Sequence, residues 1–251
     1  IEGKKHMRSF FTEPENVSAE EIILTEDLAH MKKVLRMEAG DEALVFDGTG
    51  AEYRVKILEI GAKEVRCLVL EKSFSEAEPR VKVSLYQGIP KSDKMEQIIQ
   101  KCTELGVCEI IPVKMDRCVA KLEKGSDKIK RWQKISREAT KQSGRGVVPK
   151  VLEPISFKEA LVSLKEKDLN VMPYEMLGHE GKMGLHELLG ENKNARNIGI
   201  IIGPEGGFSD AEAKLSEENG INMVGLGKRI LRTETAGSTL LSVIMYEFNE
   251  F

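Results

Sequence analysis

Two glycine-rich segments carry residue types suited to binding a small ligand. The first, Gly203 to Gly207, follows the apolar run Ile198 to Ile202. Glycines let backbone N–H groups approach a ligand closely, and in an open α/β sheet ligands lie beyond the carboxyl ends of the strands. The segment has neither the Gly-Lys-Ser/Thr ending of a Walker loop nor the spacing of a dinucleotide fingerprint. It predicts either another kind of ligand-binding loop or a plain tight connection.

The second segment runs from Gly225 to Gly237 and leads into the last predicted helix. Ile230 and Leu231 lie among Gly, Arg and Thr, which is unusual for a connection in water. Apolar side chains beside backbone donors are suited to holding a flat purine. Arg229 and Arg232 are suited to facing an anionic substrate. The structural alternative is that Thr233 caps the helix and that the arginines pair with carboxylates.

Hydrophobic spacing predicts two architectures that position these segments. From Glu42 to Leu70, short strands of alternating apolar and polar residues predict a small β-barrel. After Pro79, short apolar strands alternate with helices, which predicts a mostly parallel α/β sheet. We therefore predict two domains, residues 7–75 and 79–251, joined by a polar linker.

Capping-box spacing marks the starts of two helices. Asp93 with Glu96, and Ser209 with Glu212, place a polar cap three residues before a glutamate. Gly106 fits the carboxyl end of the first of these helices.

Composition excludes several classes of protein. The chain has 251 residues, 41% apolar and 31% charged, which is typical of folded domains. Its four cysteines have no CxxC spacing and its four histidines do not cluster beside them, so we expect no metal site, no disulfide framework and a reducing cytoplasm. No apolar run approaches the ~20 residues of a membrane span, so we expect no membrane association.

Charge is unevenly distributed along the chain. The formal net charge is −3, yet residues 114–150 hold twelve Lys or Arg against four Asp or Glu. A basic segment in an acidic protein indicates either a polyanion-binding surface or a solvated helix face.

Four ordered strings resemble one family. PKSDKMEQIIQKCTELGV (90–107), SREATKQSGR (136–145), IIGPEGGFSDAE (201–212) and LGKRILRTETA (226–236) are similar to the RsmE family of bacterial methyltransferases. Members of that family methylate N3 of a uridine in 16S ribosomal RNA. The resemblance spans almost the whole chain. Ser92 stands where the family commonly has Gly, and Lys228 where it commonly has Pro, which leaves the shape of the second loop open.

The resemblance implies an α/β fold, namely a trefoil-knotted SPOUT methyltransferase domain preceded by a PUA-like β-barrel domain. It implies S-adenosylmethionine as the cofactor, bound where the two glycine-rich loops meet the end of an earlier strand. The implied cofactor-binding residues are Pro173, Tyr174, Ile202, Gly203, Glu205, Gly206, Gly207, Leu226, Gly227, Ile230 and Leu231.

For a uridine substrate, N3 is a poor nucleophile until its proton leaves. Stabilising the charge on the uracil oxygens is suited to a guanidinium, and we assign Arg232 to this role. Glu234 is the nearest carboxylate, which either receives the proton or orients Arg232.

The same resemblance implies 16S ribosomal RNA of the small ribosomal subunit as substrate, and a homodimer paired through the last helix. The residues expected to contact RNA are Arg8, His30 and Arg36 on the barrel domain and Lys91, Lys94, Arg137, Gln142, Ser143 and Arg145 on the other. Two alternatives remain open: a SPOUT enzyme that methylates a ribose 2′-hydroxyl of another RNA, and a non-catalytic RNA-binding protein of the same fold.

Overall fold

The computed structural model describes residues 7–120, 122–174 and 184–251. The chain divides into two units after Glu78, and residues 140–148 belong to the first unit, not to the second. The sequence assigns that short segment to the second domain, because nothing in its local pattern indicates what it packs against. Each unit has its own sheet and its own apolar core.

The first unit is built on a five-stranded sheet in which β1 runs parallel to β3 and the other pairs are antiparallel. Thr12, just after β1, donates a hydrogen bond to the carbonyl of Ile23 in β2, so the two edge strands of the sheet are in contact. Its strands, paired in the order β1-β3-β4-β5-β2, are β1 (Ser9–Phe11), β2 (Glu21–Leu24), β3 (Glu42–Phe46), β4 (Ala51–Ile60) and β5 (Val65–Phe74).

Alternation along the strands builds the core of this unit. Tyr53, Val55 and Ile57 of β4 are buried, as their spacing of two predicts. Between β2 and β3 lies a π-helix, His30–Val34, followed by Arg36 with φ of +51°.

The second unit contains a seven-stranded sheet in which every strand pair is parallel. The strand order is β12-β10-β11-β6-β7-β8, and β9 also pairs with β7. The strands are β6 (Lys82–Gly88), β7 (Glu109–Lys114), β8 (Lys150–Val151), β9 (Ile155–Ser156), β10 (Leu169–Pro173), β11 (Asn197–Ile202) and β12 (Asn222–Val224). The helices are α1 (Lys94–Glu104), α2 (Asp127–Ser143), α3 (Phe157–Lys165), α4 (Leu185–Glu191), α5 (Asp210–Glu218) and α6 (Thr233–Glu247). The last four residues of α2, 140–143, belong to the first unit.

Helices cover both faces of this sheet. Leu85 of β6 lies in the apolar cluster that includes residues of α1, α4 and α6, whereas the next residue, Tyr86, lies in the cluster with α3. Successive strand residues point to opposite faces, so the unit has three layers. Because all strands run the same way, their carboxyl ends meet at one edge of the sheet.

The structure contains one of the two predicted capping boxes. Ser209 and Glu212 form the predicted capping box, and Gly106 has the left-handed φ of +94° expected at a helix end. The prediction for Asp93 is wrong: its side chain makes no capping hydrogen bond, and Glu96 pairs with Arg131 instead.

A further capping box, Ser156 with Glu159, begins α3 and was missed by sequence reasoning. Its spacing is the same as that of the box at α5, so the signal was present in the sequence.

Candidate active site

The loop after β11 is a tight turn that glycine makes possible. A Cβ on Gly203 would meet the backbone of Gly207 at 3.1 to 3.2 Å, so that backbone would have to shift by a few tenths of an ångström. Gly207 has φ of +66°, and its N–H donates to the carbonyl of Pro204 at 2.9 Å. The loop is therefore a tight connection, and binding of a ligand to it stays a prediction.

The loop after β12 presents backbone and apolar side chains together. Gly227 has φ of +95°, a conformation that favours glycine. Among the described residues, no atom lies within 4 Å of a Cβ built on Gly225 or Gly227. Leu226 and Leu231 pack against the core, whereas the Ile230 side chain is exposed.

Three strand ends bring these loops to one edge. The N–H of Tyr174, directly after β10, donates to the carbonyl of Val224 at the end of β12. The Tyr174 ring packs edge-on against Phe208, with centroids 6.4 Å apart. Ile202 ends β11 within the core. The predicted cofactor residues thus lie at the ends of three neighbouring strands, β10, β11 and β12.

A buried hydrogen-bond chain ties this edge to α6. Gln87, fully buried at the end of β6, donates to the Thr233 hydroxyl at 2.9 Å, and that hydroxyl donates to the carbonyl of Gly203 at 2.7 Å. Thr233 therefore holds the loop after β11 instead of capping α6, whose N-cap is Arg232. Sequence reasoning missed Gln87, whose partner Thr233 is 146 residues away.

Arg232 and Glu234 lie at the start of α6. The Arg232 side chain is 81% exposed, and its Nη1 is 3.9 Å from Oε1 of Glu234. Glu234 is only 14% exposed, and its Oε2 lies 3.5 Å from Nζ of Lys94. The guanidinium thus extends outward beside a carboxylate that is largely shielded from water.

Glu205 turns toward the segment after β6. Its carboxylate accepts hydrogen bonds from the N–H of Lys91 and lies 3.1 Å from Nζ of Lys94. Burial alone would raise the pKa of Glu205, but hydrogen bonds from its own N–H, from Lys94 and from Lys91 bring it below its usual value. The hydrogen bond with Glu205 in turn raises the pKa of Lys94, against a smaller opposing effect of burial.

The two departures from the family pattern have different structural settings. Ser92 has φ of +55°, the left-handed region that favours glycine, which explains why Gly is common there. Lys228 is exposed in the loop after β12, next to the left-handed Gly227.

Comparison with known proteins decides the family. A model described as an RNA methyltransferase domain matches residues 76–245, and one described as an RNA methyltransferase PUA domain matches residues 23–70. Ribosomal RNA small subunit methyltransferase E of Bacillus subtilis is 36% identical over 96% of this chain and 97% of its own length. The chain belongs to the ribosomal RNA small subunit methyltransferase E family. The resemblance to the RsmE family is thereby confirmed.

Solved structures of similar sequence agree with the methyltransferase E fold. The enzyme of that name from Neisseria gonorrhoeae, bound to S-adenosylmethionine, has a TM-score of 0.81 and 31% identity, covering 96% of this chain and 98% of its own. A Legionella pneumophila protein in complex with the same cofactor has a TM-score of 0.82 and 30% identity, with the same coverage. These matches confirm the predicted α/β domain with a PUA-like domain before it.

The residues expected to contact RNA are exposed to different degrees in this methyltransferase E chain. Arg8, His30, Arg36, Lys91 and Gln142 are exposed, and Arg137 is partly buried. Lys94 is held in the ion pairs with Glu205 and Glu234, and the Ser143 hydroxyl donates to the carbonyl of Thr140.

The assignment of Arg145 to the RNA-facing surface is contradicted by its burial. Its side chain is 5% exposed and its Nη2 lies 2.8 Å from Oε2 of Glu78. The N–H groups of Gly146 and Val147 donate to the other oxygen of the same carboxylate, at 3.0 Å each. Arg145 therefore closes a loop inside the first unit and is not presented to a phosphate.

The described residues form neither a metal-binding cluster nor a membrane-spanning helix. Within residues 7–120, 122–174 and 184–251, no group of three or more His, Cys, Asp or Glu side chains is placed to hold a metal ion. No helix in these ranges is long and apolar enough to span a membrane.

Proposed function

We propose that this protein uses S-adenosylmethionine to methylate N3 of a uridine in the 16S ribosomal RNA of the small ribosomal subunit. Membership in the methyltransferase E family and the cofactor bound to a relative 31% identical support this proposal. The observation that carries it is the hydrogen bond by which Thr233 of the second glycine-rich segment holds Gly203 of the first, next to the outward-facing Arg232.

The residues at this edge fit the cofactor. Backbone at Gly225 and Gly227 borders open space among the described residues, so polar groups of a ligand can reach main-chain donors and acceptors there. Leu226, Ile230 and Leu231 supply apolar surface for a purine. Pro173 and Tyr174, with Ile202 and the loop of residues 203–207, would complete the pocket.

The chemistry places two demands on the protein. Bound S-adenosylmethionine supplies an electrophilic methyl group, and the chain must align the uracil with it. The N3 proton must also leave, and negative charge spreads over the uracil oxygens. Arg232 provides a planar guanidinium for that charge, and Glu234, 3.9 Å away, orients the guanidinium or accepts the proton.

Recognition of the subunit is assigned to exposed basic and polar side chains. Phosphate contacts supply affinity without reading sequence, and lysine and arginine supply most of them. The proposed contacts are Arg8, His30 and Arg36 of the first unit, with Lys91, Arg137, Gln142 and Ser143. The knotted chain path, pairing of two copies through α6, and action in the cytoplasm belong to the same proposal.

One experiment tests the reaction itself. The protein is incubated with labelled S-adenosylmethionine and small subunits from a strain lacking this methyltransferase, and the product RNA is digested to nucleosides. We expect 3-methyluridine at one position, and none from Arg232→Ala. A 2′-O-methylated nucleoside would show the ribose-directed alternative. Calorimetric cofactor binding without any transfer would show a non-catalytic RNA-binding protein.

A further inference from the structure

One ammonium group joins three segments of the site. Lys94 begins α1, and its Nζ lies 3.1 Å from Oε1 of Glu205 and 3.5 Å from Oε2 of Glu234. Glu205 belongs to the loop after β11, and Glu234 to the first turn of α6. The ammonium of Lys94 therefore links α1 to the loop after β11 and to α6, the helix whose N-cap is Arg232.

The three side chains of this contact are partly shielded from solvent. The side chains of Lys94, Glu205 and Glu234 are 29%, 28% and 14% exposed. Solvent screens charges less in such a place than on an open surface. Replacing Lys94 with an uncharged residue would remove the cation that lies between the carboxylates of Glu205 and Glu234.

Glu205 is held from a second direction. The N–H of Lys91 donates to both of its carboxylate oxygens, at 3.1 and 3.3 Å. A carboxylate held in this way holds the ammonium. The ammonium attracts Oε2 of Glu234 across 3.5 Å, and this buried oxygen has no hydrogen-bond partner among the described residues. The other oxygen of Glu234 is left facing Arg232, at 3.9 Å.

We infer that Lys94 is a positioning residue for methyl transfer: anchored by Glu205, it sets the orientation of Glu234 and, through it, of Arg232. This inference rests on the proposed function of the site. It replaces the expectation that Lys94 contacts an RNA phosphate, and the two assignments predict different kinetics. A phosphate contact contributes to substrate affinity and to its salt dependence. A residue that orients the reacting groups contributes to turnover.

The test compares Lys94→Met, which keeps the aliphatic stem, with Lys94→Arg, which keeps the charge. The matched control is Lys101→Met, at an exposed position on the same helix. Methylation of small subunits is measured at saturating cofactor, with cofactor affinity by calorimetry and subunit binding at several salt concentrations. We expect Lys94→Met to lower kcat by roughly ten- to a hundredfold, because small misplacements of reacting groups cost rates of this order. KM for subunits, the salt slope and cofactor affinity should stay as in the wild type, and Lys94→Arg should recover part of kcat.

Other results would overturn the inference. A raised KM with a flatter salt slope and wild-type kcat would assign Lys94 to phosphate binding. A fall in cofactor affinity that matches the fall in kcat would assign it to the cofactor pocket. Wild-type behaviour of Lys94→Met in all three measurements would leave Lys94 without a role in the site.

A measurement without turnover separates this inference from the proposed function. In urea unfolding of the free protein, Lys94→Met, Glu234→Gln and the double variant form a double-mutant cycle. We expect a coupling of about two- to fivefold in the folding equilibrium constant, as for an ion pair at this exposure. Additive effects would overturn the inference. A wild-type protein that transfers no methyl group, but shows this coupling, would refute the proposed function and leave the contact established.

Discussion

The buried pair of Glu78 and Arg145 makes a single substitution strongly destabilising. Arg145 Nε and Nη2 donate to Glu78 at 3.3 and 2.8 Å, and the side chains are 5% and 12% exposed. Glu78→Gln keeps the shape of the side chain but removes the negative charge that faces the buried guanidinium. Breaking such a pair from one side costs about 3–5 kcal/mol. For a chain of this size each kcal/mol lowers Tm by about 2–4 °C, so we expect a loss of roughly 6–12 °C at the lower energy.

Removing the charge of Arg145 should cost less stability than removing the charge of Glu78, and the contacts of Glu78 explain why. In Arg145→Met the Glu78 carboxylate still accepts the N–H groups of Gly146 and Val147. The remaining carboxylate is therefore still solvated by two backbone donors, whereas the guanidinium in Glu78→Gln loses the carboxylate 2.8 Å from its Nη2. We expect the double variant to lose much less stability than the sum of the two single variants.

Scanning calorimetry and urea unfolding measure these differences. Arg66→Met is the control in the same unit, because Arg66 pairs with Glu21 at 2.7 Å but is 49% exposed, and its loss should stay within about 1 kcal/mol. Subunit binding is measured across salt concentrations as well, and Arg145→Met should keep the wild-type slope. A cost for Glu78→Gln no larger than that of the control would refute the energetic reasoning. A slope flattened by about one unit in Arg145→Met would show that Arg145 contacts phosphate after all.

Three further substitutions test the site. Arg232→Ala should keep cofactor affinity but lower turnover by ~10²–10³. Arg232→Lys should recover little of it, because an ammonium lacks the planar, two-pronged donor geometry of a guanidinium. An equal fall in cofactor affinity, measured by calorimetry, would contradict this assignment. Gly227→Asp puts a side chain and a charge at φ of +95°, and should weaken cofactor binding roughly tenfold or more while the fold persists; wild-type affinity would remove this loop from the site. Glu205 has a lower pKa in the folded protein than in the unfolded chain, so its ionised form stabilises the fold above the ordinary glutamate pKa of 4.5. This contribution is lost as the pH falls through the pKa of Glu205 in the folded protein. In thermal unfolding, Glu205→Gln should therefore be less stable than the wild type at pH 7 and should approach its stability under acid conditions. A stability difference that stays constant at all pH values would argue against a lowered pKa of Glu205.

Local patterns in the sequence determined most of the architecture. Period-two alternation located β4 and β5, and short apolar runs located β10 and β11, because each pattern follows from backbone geometry over a few residues. The glycine-rich segments were identified as loops at strand ends for the same reason. Parallel strands then required those loops to meet at one edge of the sheet, so the place of the candidate site followed from the sequence.

Only the tertiary structure decided what the charged side chains do. Arg145 and Lys94 both belong to strings that suggest RNA contact, yet one is buried against Glu78 and the other is held by Glu205 and Glu234. The partners of both residues lie far away in the sequence. Gln87 and Thr233, which are hydrogen-bonded to each other, are likewise 146 residues apart. Spacing along the chain carries no information about such pairs, because they form only when strands and helices pack. A basic residue looks the same in a sequence whether it meets a phosphate, a carboxylate or water, and the fold alone determines which of these it meets.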